Sequence, residues 1–150
     1  MATVYDVPPK RLIENVSKVL KETDGIETPQ WAPFVKSGVH KEKAPIQLDW
    51  WYTRVSAVLR SVYVKGPIGI SQLRGKYGGK KDRGSKPSIA AKGSGSIISE
   101  ALQQLEKAGL VEKTPKGRVI TPKGMSLLDN TAYEILKEMA SEDPERSKYL

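Results

Sequence analysis

Between Asp49 and Gly66 the chain reads D-W-W-Y-T-R-V-S-A-V-L-R-S-V-Y-V-K-G, with no proline or glycine inside the run. Trp51, Val55, Val58, Leu59 and Val62 recur at helical spacing and make one apolar stripe, with Asp49 as the expected N-cap and Gly66-Pro67 as the stop. Burial of that stripe, at ~25 cal/mol per Å² of apolar surface, makes this the central core helix on which the others must pack. Arg54 flanks the stripe and Arg60 lies on the opposite face.

The same helix opens a zone of positive charge. From Trp50 to Ser96 there are ten basic residues, Arg54, Arg60, Lys65, Arg74, Lys76, Lys80, Lys81, Arg83, Lys86 and Lys92, against Asp82 alone. Before this zone seven basic residues meet seven acidic ones, and after it eight meet nine, so the formal +8 is local. A local block of this kind is the footprint of a protein that meets a polyanion, and nucleic acid is the first candidate. The stretch from Gly78 to Ser96 holds five glycines, four serines and five basic residues, with Ile89 its one sizeable apolar side chain. So little apolar surface offsets the entropy of ordering it, and the expectation is a basic loop, mobile until a ligand orders it.

Several function classes fall away on composition. There is no cysteine and one histidine, His40, so thiol chemistry is absent and one chain cannot supply a multi-histidine metal site. Phosphate-binding loops fail on spacing: Gly79 and Gly84 have the right gap, but Ser85-Lys86 follows in place of Lys-Ser. No apolar run approaches the roughly 20 residues that span a bilayer, and the chain reads as soluble and intracellular. Carboxylate pairs placed for acid–base catalysis are not evident, and no cofactor is expected.

Along the chain, Leu12, Ile13, Val16, Val19 and Leu20 after Pro8-Pro9 predict a helix over roughly residues 8–23. Thr28-Pro29 is placed to open a short helix, and Ile70–Tyr77 reads as another. Ile97, Ile98, Ala101, Leu102, Leu105 and Ala108 form a helix ended by Gly109. L-V-E-K-T-P-K-G-R-V-I-T then reads as a hairpin turning at Pro115-Lys116-Gly117. Thr121-Pro122 starts a last helix with apolar positions Met125, Leu128, Ala132, Ile135, Leu136 and Met139, and the tail after it is expected to fray. Trp31, Trp50 and Trp51 are read as core, with base stacking as the other use; His40 is open between an RNA contact and a local hydrogen bond.

This order, helix, short helix, helix, two-stranded wing, is that of a winged helix-turn-helix: a mostly helical domain over residues 1–150 with an N-terminal helical extension, a small β-hairpin wing and the flexible basic loop 78–96 inserted where the motif has its turn. In DNA-binding members the second helix of the motif enters the major groove. Here it offers Ser99, Glu100, Gln103, Gln104, Glu106 and Lys107, and two glutamates beside phosphates make a poor groove reader. Cations placed before that helix favour backbone-tracking contacts, as in recognition of RNA by shape.

The motifs P-Q-W at Pro29, H-K-E-K-A-P at His40, W-W-Y-T-R at Trp50, K-Y-G-G at Lys76 and L-E-K-A-G-L-V-E-K at Leu105 resemble the archaeal and eukaryotic small-subunit ribosomal protein family "nineteen-e" over nearly the whole chain. The resemblance implies a structural constituent of the small ribosomal subunit, without catalytic activity, that binds ribosomal RNA in the head and supports subunit maturation. Carried over, Arg54 and Arg60 match the family's basic positions on the central helix, and Lys76 and Lys80 its basic loop after the tyrosine. Expected partners are small-subunit ribosomal RNA and neighbouring ribosomal proteins in the cytoplasm, with the free chain a monomer. The alternative is a winged-helix transcription regulator on duplex DNA, which calls for a basic recognition helix and usually a dimerisation surface.

Overall fold

A computed structural model describes residues 2–149. The first helix, α1, covers Pro9–Lys21 and is followed by a short 3-10 turn at Ala32–Phe34. Next come the central helix α2, Trp50–Lys65, and the short α3, Ile70–Lys76. Strands β1 (Gly79–Arg83) and β2 (Lys86–Ala91) precede helix α4, Gly95–Lys107. Strands β3 (Val111–Thr114) and β4 (Gly117–Ile120) lead into the long α5, Pro122–Glu142, and a 3-10 turn at Pro144–Tyr149. The fold is mostly helical, with two small antiparallel hairpins.

The stripe on α2 is the centre of the core. Trp51, Val55, Val58, Leu59 and Val62 are all fully buried, and α1, α4, α5 and β4 pack around them. The helix stops at Gly66, whose φ of 70° is cheap only for glycine and whose N–H still reaches Val62 O at 3.1 Å. Trp31 and Trp50 meet Trp51 edge-on, with ring centroids 5.7 Å away in both cases. These geometries favour packed aromatics, and Trp50 and Trp51 are buried. One polar side chain holds the cluster: Gln104 of α4, itself buried, accepts from Trp51 Nε1 at 3.0 Å and from Glu27 N at 3.3 Å, and donates to Glu27 O at 2.8 Å. Its place at the α4 surface, expected from sequence, is therefore corrected.

Other expectations are adjusted. Asp49 stands at the α2 N-cap position, but its carboxylate pairs with Lys21 in the last turn of α1 and makes no side-chain cap bond. The short helix begins at Ala32, with Pro33 rather than Pro29 in its first turn, and Thr28 caps nothing. Val19 and Met125, counted with the apolar stripes of α1 and α5, are exposed. The tail adds a 3-10 turn in which Glu145 N donates to Asp143 Oδ1 at 3.2 Å; Leu150 lies outside the described residues.

The largest difference is the stretch 78–96, which is a hairpin rather than a loop. Gly79 pairs with Ala91, Lys80 with Ala90, Lys81 with Ile89 and Arg83 with Lys86, with a bulge at Asp82. Gly84, at φ 72°, takes the first place of the two-residue turn Gly84-Ser85, and its N–H donates to Asp82 Oδ1 at 2.9 Å. Gly-Ser between two short runs is a hairpin signal, but with no apolar alternation beside it the stretch carries the composition of a loop.

The C-terminal hairpin turns at Pro115-Lys116 as expected, and it gains a third partner: Ile68 and Arg118 exchange backbone bonds of 2.9 and 3.2 Å. Gly117 makes that approach possible, since a Cβ there would stand 2.9 Å from the Ile68 backbone.

Candidate nucleic-acid interface

Arg54, Ala57 and Ser61 succeed one another at three- and four-residue spacing along one flank of α2. When the chain turns at Gly66-Pro67, α3 brings Lys76 and Tyr77 back against this flank. The Arg54 guanidinium lies over the Tyr77 ring, 4.2 Å from its centroid, and the Tyr77 hydroxyl is 3.1 Å from Ser61 Oγ. Lys76 Nζ donates to the same Ser61 Oγ at 2.6 Å. Ser61 Oγ in turn bonds Ala57 O at 2.8 Å, so its position is set by the helix.

The electrostatics of this cluster are unusual for a structural site. Burial lowers the pKa of Arg54 and raises that of Tyr77, where the Ser61 bond and the charges of Arg54 and Arg60 work in the opposite direction. Lys76 is pushed below the ordinary lysine value by desolvation, and further by the charges of Arg60 and Lys65. Arg60, expected on the outer face of α2, is half-buried, with its Nε shut from solvent and without a hydrogen-bond partner. Cations are thus held together at a cost in free energy, and among the described residues none of the ten candidate cations makes an ion pair.

The other candidates fall in two groups. Lys80, Lys81, Arg83 and Lys86 ride on the β1–β2 hairpin, which projects from the core with mostly exposed side chains. Arg74 and Lys92 sit at its base and are partly engaged: Arg74 Nε donates to Gly93 O at 2.9 Å, and Lys92 Nζ to Ser71 Oγ at 3.1 Å. Gly93 also pairs with Gly38, and Ser94 N donates to Ser37 O at 3.0 Å, so the connector before α2 clamps the hairpin's root. His40 lies in this clamp, its ring 3.1 Å from where a Cβ on Gly79 would stand, and its Nδ1 has no hydrogen-bond partner. Sequence reasoning passed over Ser61 and Tyr77. Only the return of α3 reveals their role.

A family model described as Ribosomal protein S19e matches residues 3–138. The chain belongs to the ribosomal protein S19e family. It is 49% identical to the small ribosomal subunit protein eS19 of Thermoplasma acidophilum over 150 residues, the whole of both chains. The protein of the same name from Haloarcula marismortui is 47% identical over 99% of each chain. Across kingdoms, eS19A of Schizosaccharomyces pombe is 40% identical over 137 residues, covering 91% of this chain and 95% of its own. The resemblance drawn from the tryptophan, K-Y-G-G and L-E-K-A-G motifs therefore holds over the full length. Within this S19e chain those motifs have distinct physical jobs. W-W-Y-T-R carries Trp51 into the core and Arg54 to the flank, whereas K-Y-G-G supplies Lys76 and Tyr77 and then Gly78, where a Cβ would come within 2.2 Å of Ala91 O.

Proposed function

We propose that this chain is a structural constituent of the small ribosomal subunit that binds ribosomal RNA through one face, formed by the Arg54 flank of α2, the end of α3 and the β1–β2 hairpin. Relatives that match it over their whole length are named small ribosomal subunit proteins, and the family is one of ribosomal proteins rather than of enzymes. The observation that carries the RNA reading is a cluster of cations without counter-ions among the described residues, with the half-buried Arg54 at its centre. An anion brought from outside relieves it, and a phosphate backbone supplies anions in a row. Arg60, Lys65, Arg74, Lys76 and Lys92 extend this face beside Arg54, and Lys80, Lys81, Arg83 and Lys86 reach beyond it. In this reading α2, α3, α4 and the β3–β4 wing are a winged helix-turn-helix with the β1–β2 hairpin inserted before α4. The element order and the Ile68–Arg118 bridge support it. On the same reading the protein is a monomer when free and works in the cytoplasm within the ribosome, in the head of the small subunit and with a part in its maturation.

The regulator alternative loses its recognition helix. Of the polar residues on α4, Gln104 is buried against Trp51, and Glu106 is bound to Arg118 at 3.1 Å. No matching relative among those above bears a regulator's name.

Sedimentation of source-cell lysate at rising salt tests the reading. Co-migration with the small subunit, lost only at high salt, is expected; recovery with chromosomal DNA, or as a free dimer, overturns it. With purified protein, Arg54→Ala combined with Arg60→Ala lowers the salt slope of RNA binding by about 1–2, and an unchanged slope removes α2 from the interface.

A further inference from the structure

Beside α2 runs a mostly apolar, open groove of about 520 Å³, bordered by residues of the connector 41–47 and lined on the helix by Trp50, Arg54 and Ala57, with Tyr77 also against it. A hollow of this size is in the range that takes a small planar ligand. Ile46 also lines it and is 94% exposed, an apolar side chain left facing water. Lys41 and Lys43 stand at the rim, and among the described residues neither makes an ion pair.

Arg54 gives the chemistry. Its guanidinium carries five N–H donors; one face rests on Tyr77, yet no hydrogen-bond acceptor and no carboxylate reaches it among the described residues. Donors left at the groove without a protein partner call for a ligand rich in acceptors. The apolar lining calls for a flat face, and the lysines for a phosphate. We propose that the groove holds one unpaired RNA nucleotide, its base against Trp50, Ala57 and Ile46, its polar edge toward Arg54 and its phosphate at Lys41 and Lys43. The proposal rests on the RNA-binding reading and adds a selectivity to it. A duplex keeps its bases stacked inside and cannot fill the groove, whereas a loop or bulge can.

The test uses the full chain and two RNAs with equal numbers of phosphates, a mixed-sequence single strand and a fully paired duplex. Ile46→Ser trims an exposed side chain, and Ala44→Leu fills the groove from the connector, away from the α2 flank; unchanged melting certifies the fold of each. Both variants are expected to lose about tenfold in affinity for the single strand, the magnitude of one stacked base, while duplex affinity and both salt slopes stay as in the wild type. Equal losses on the two RNAs, or none on either, overturn the groove's role. Wild-type RNA affinities combined with weakened retention on small subunits overturn it in favour of a protein neighbour. Failure of the unmodified chain to bind either RNA at low salt instead overturns the RNA-binding reading beneath it.

Discussion

Gln104 shows how one residue can be misread by type and understood by position. On the second helix of the expected winged motif it counts among the polar residues offered to solvent, but it lies four residues before Ala108 and three after Ala101, on the edge of the apolar stripe. In the fold it satisfies the indole N–H of Trp51 and both backbone groups of Glu27. Gln104→Leu keeps the volume and strands the indole N–H of Trp51 in a dry core. The expected cost is about 1–3 kcal/mol, read as a lower denaturation midpoint at unchanged slope. Arg54 is the opposite case, a residue whose type was read correctly and whose environment was not. Its spacing put it beside the stripe; nothing in the spacing announced that Tyr77, twenty-three positions on, would cover it.

At the scale of elements, the two hairpins differ in what holds them. The β3–β4 hairpin is tied down: Ile68 pairs with Arg118, Arg118 with Glu106, and Thr121 Oγ1 donates to Gly109 O at 2.7 Å. The β1–β2 hairpin is fixed at its root by Arg74, Gly93 and Ser37, while its outer part buries almost nothing. Local stability follows buried contacts, so its amides are expected to exchange with solvent far sooner than those of α2. Excising residues 80–90 and joining the ends through two glycines is expected to leave the unfolding free energy within about 0.5 kcal/mol, as for other surface changes. The same excision removes Lys80, Lys81, Arg83 and Lys86 and should lower the salt slope of RNA binding by about 2–4. A large loss of stability, or a slope that does not move, contradicts the hairpin's assignment as an RNA-tracking arm. Its strands were hard to read because hydrophobic alternation, the usual strand signal, exists only where one face is buried.

For the molecule as a whole, function and stability pull against each other through one charge distribution. The ten cations of residues 50–96 are gathered on a chain otherwise near neutrality, and Lys76 carries the mark of it, held below its ordinary pKa by burial and by Arg60 and Lys65. Adding salt screens that repulsion in the free protein and also weakens every phosphate contact. Between about 0.05 and 0.3 M salt, where the Debye length shortens to below 10 Å, the melting temperature of the free protein is expected to rise while RNA affinity falls. Melting that drops with salt would mean that the ion pairs Arg11–Glu142, Lys21–Asp49 and Arg118–Glu106 outweigh the cationic repulsion.

The sequence by itself determined which helices form, where they stop, and which one lies at the centre, because periodicity, glycine stops and prolines at helix starts act over a few residues: the α2 stripe, Gly66, Gly109 and Thr121-Pro122 all stand where the pattern puts them. It determined the family too, through motifs spread over the chain. Only the tertiary structure decided which polar side chains lose water. That Gln104 serves the core, that Arg54 and Arg60 are half-buried without counter-ions among the described residues, and that the 41–47 connector borders a groove beside Trp50 all depend on segments far apart in the chain coming together. Desolvation is a property of the surroundings, and no local pattern encodes it.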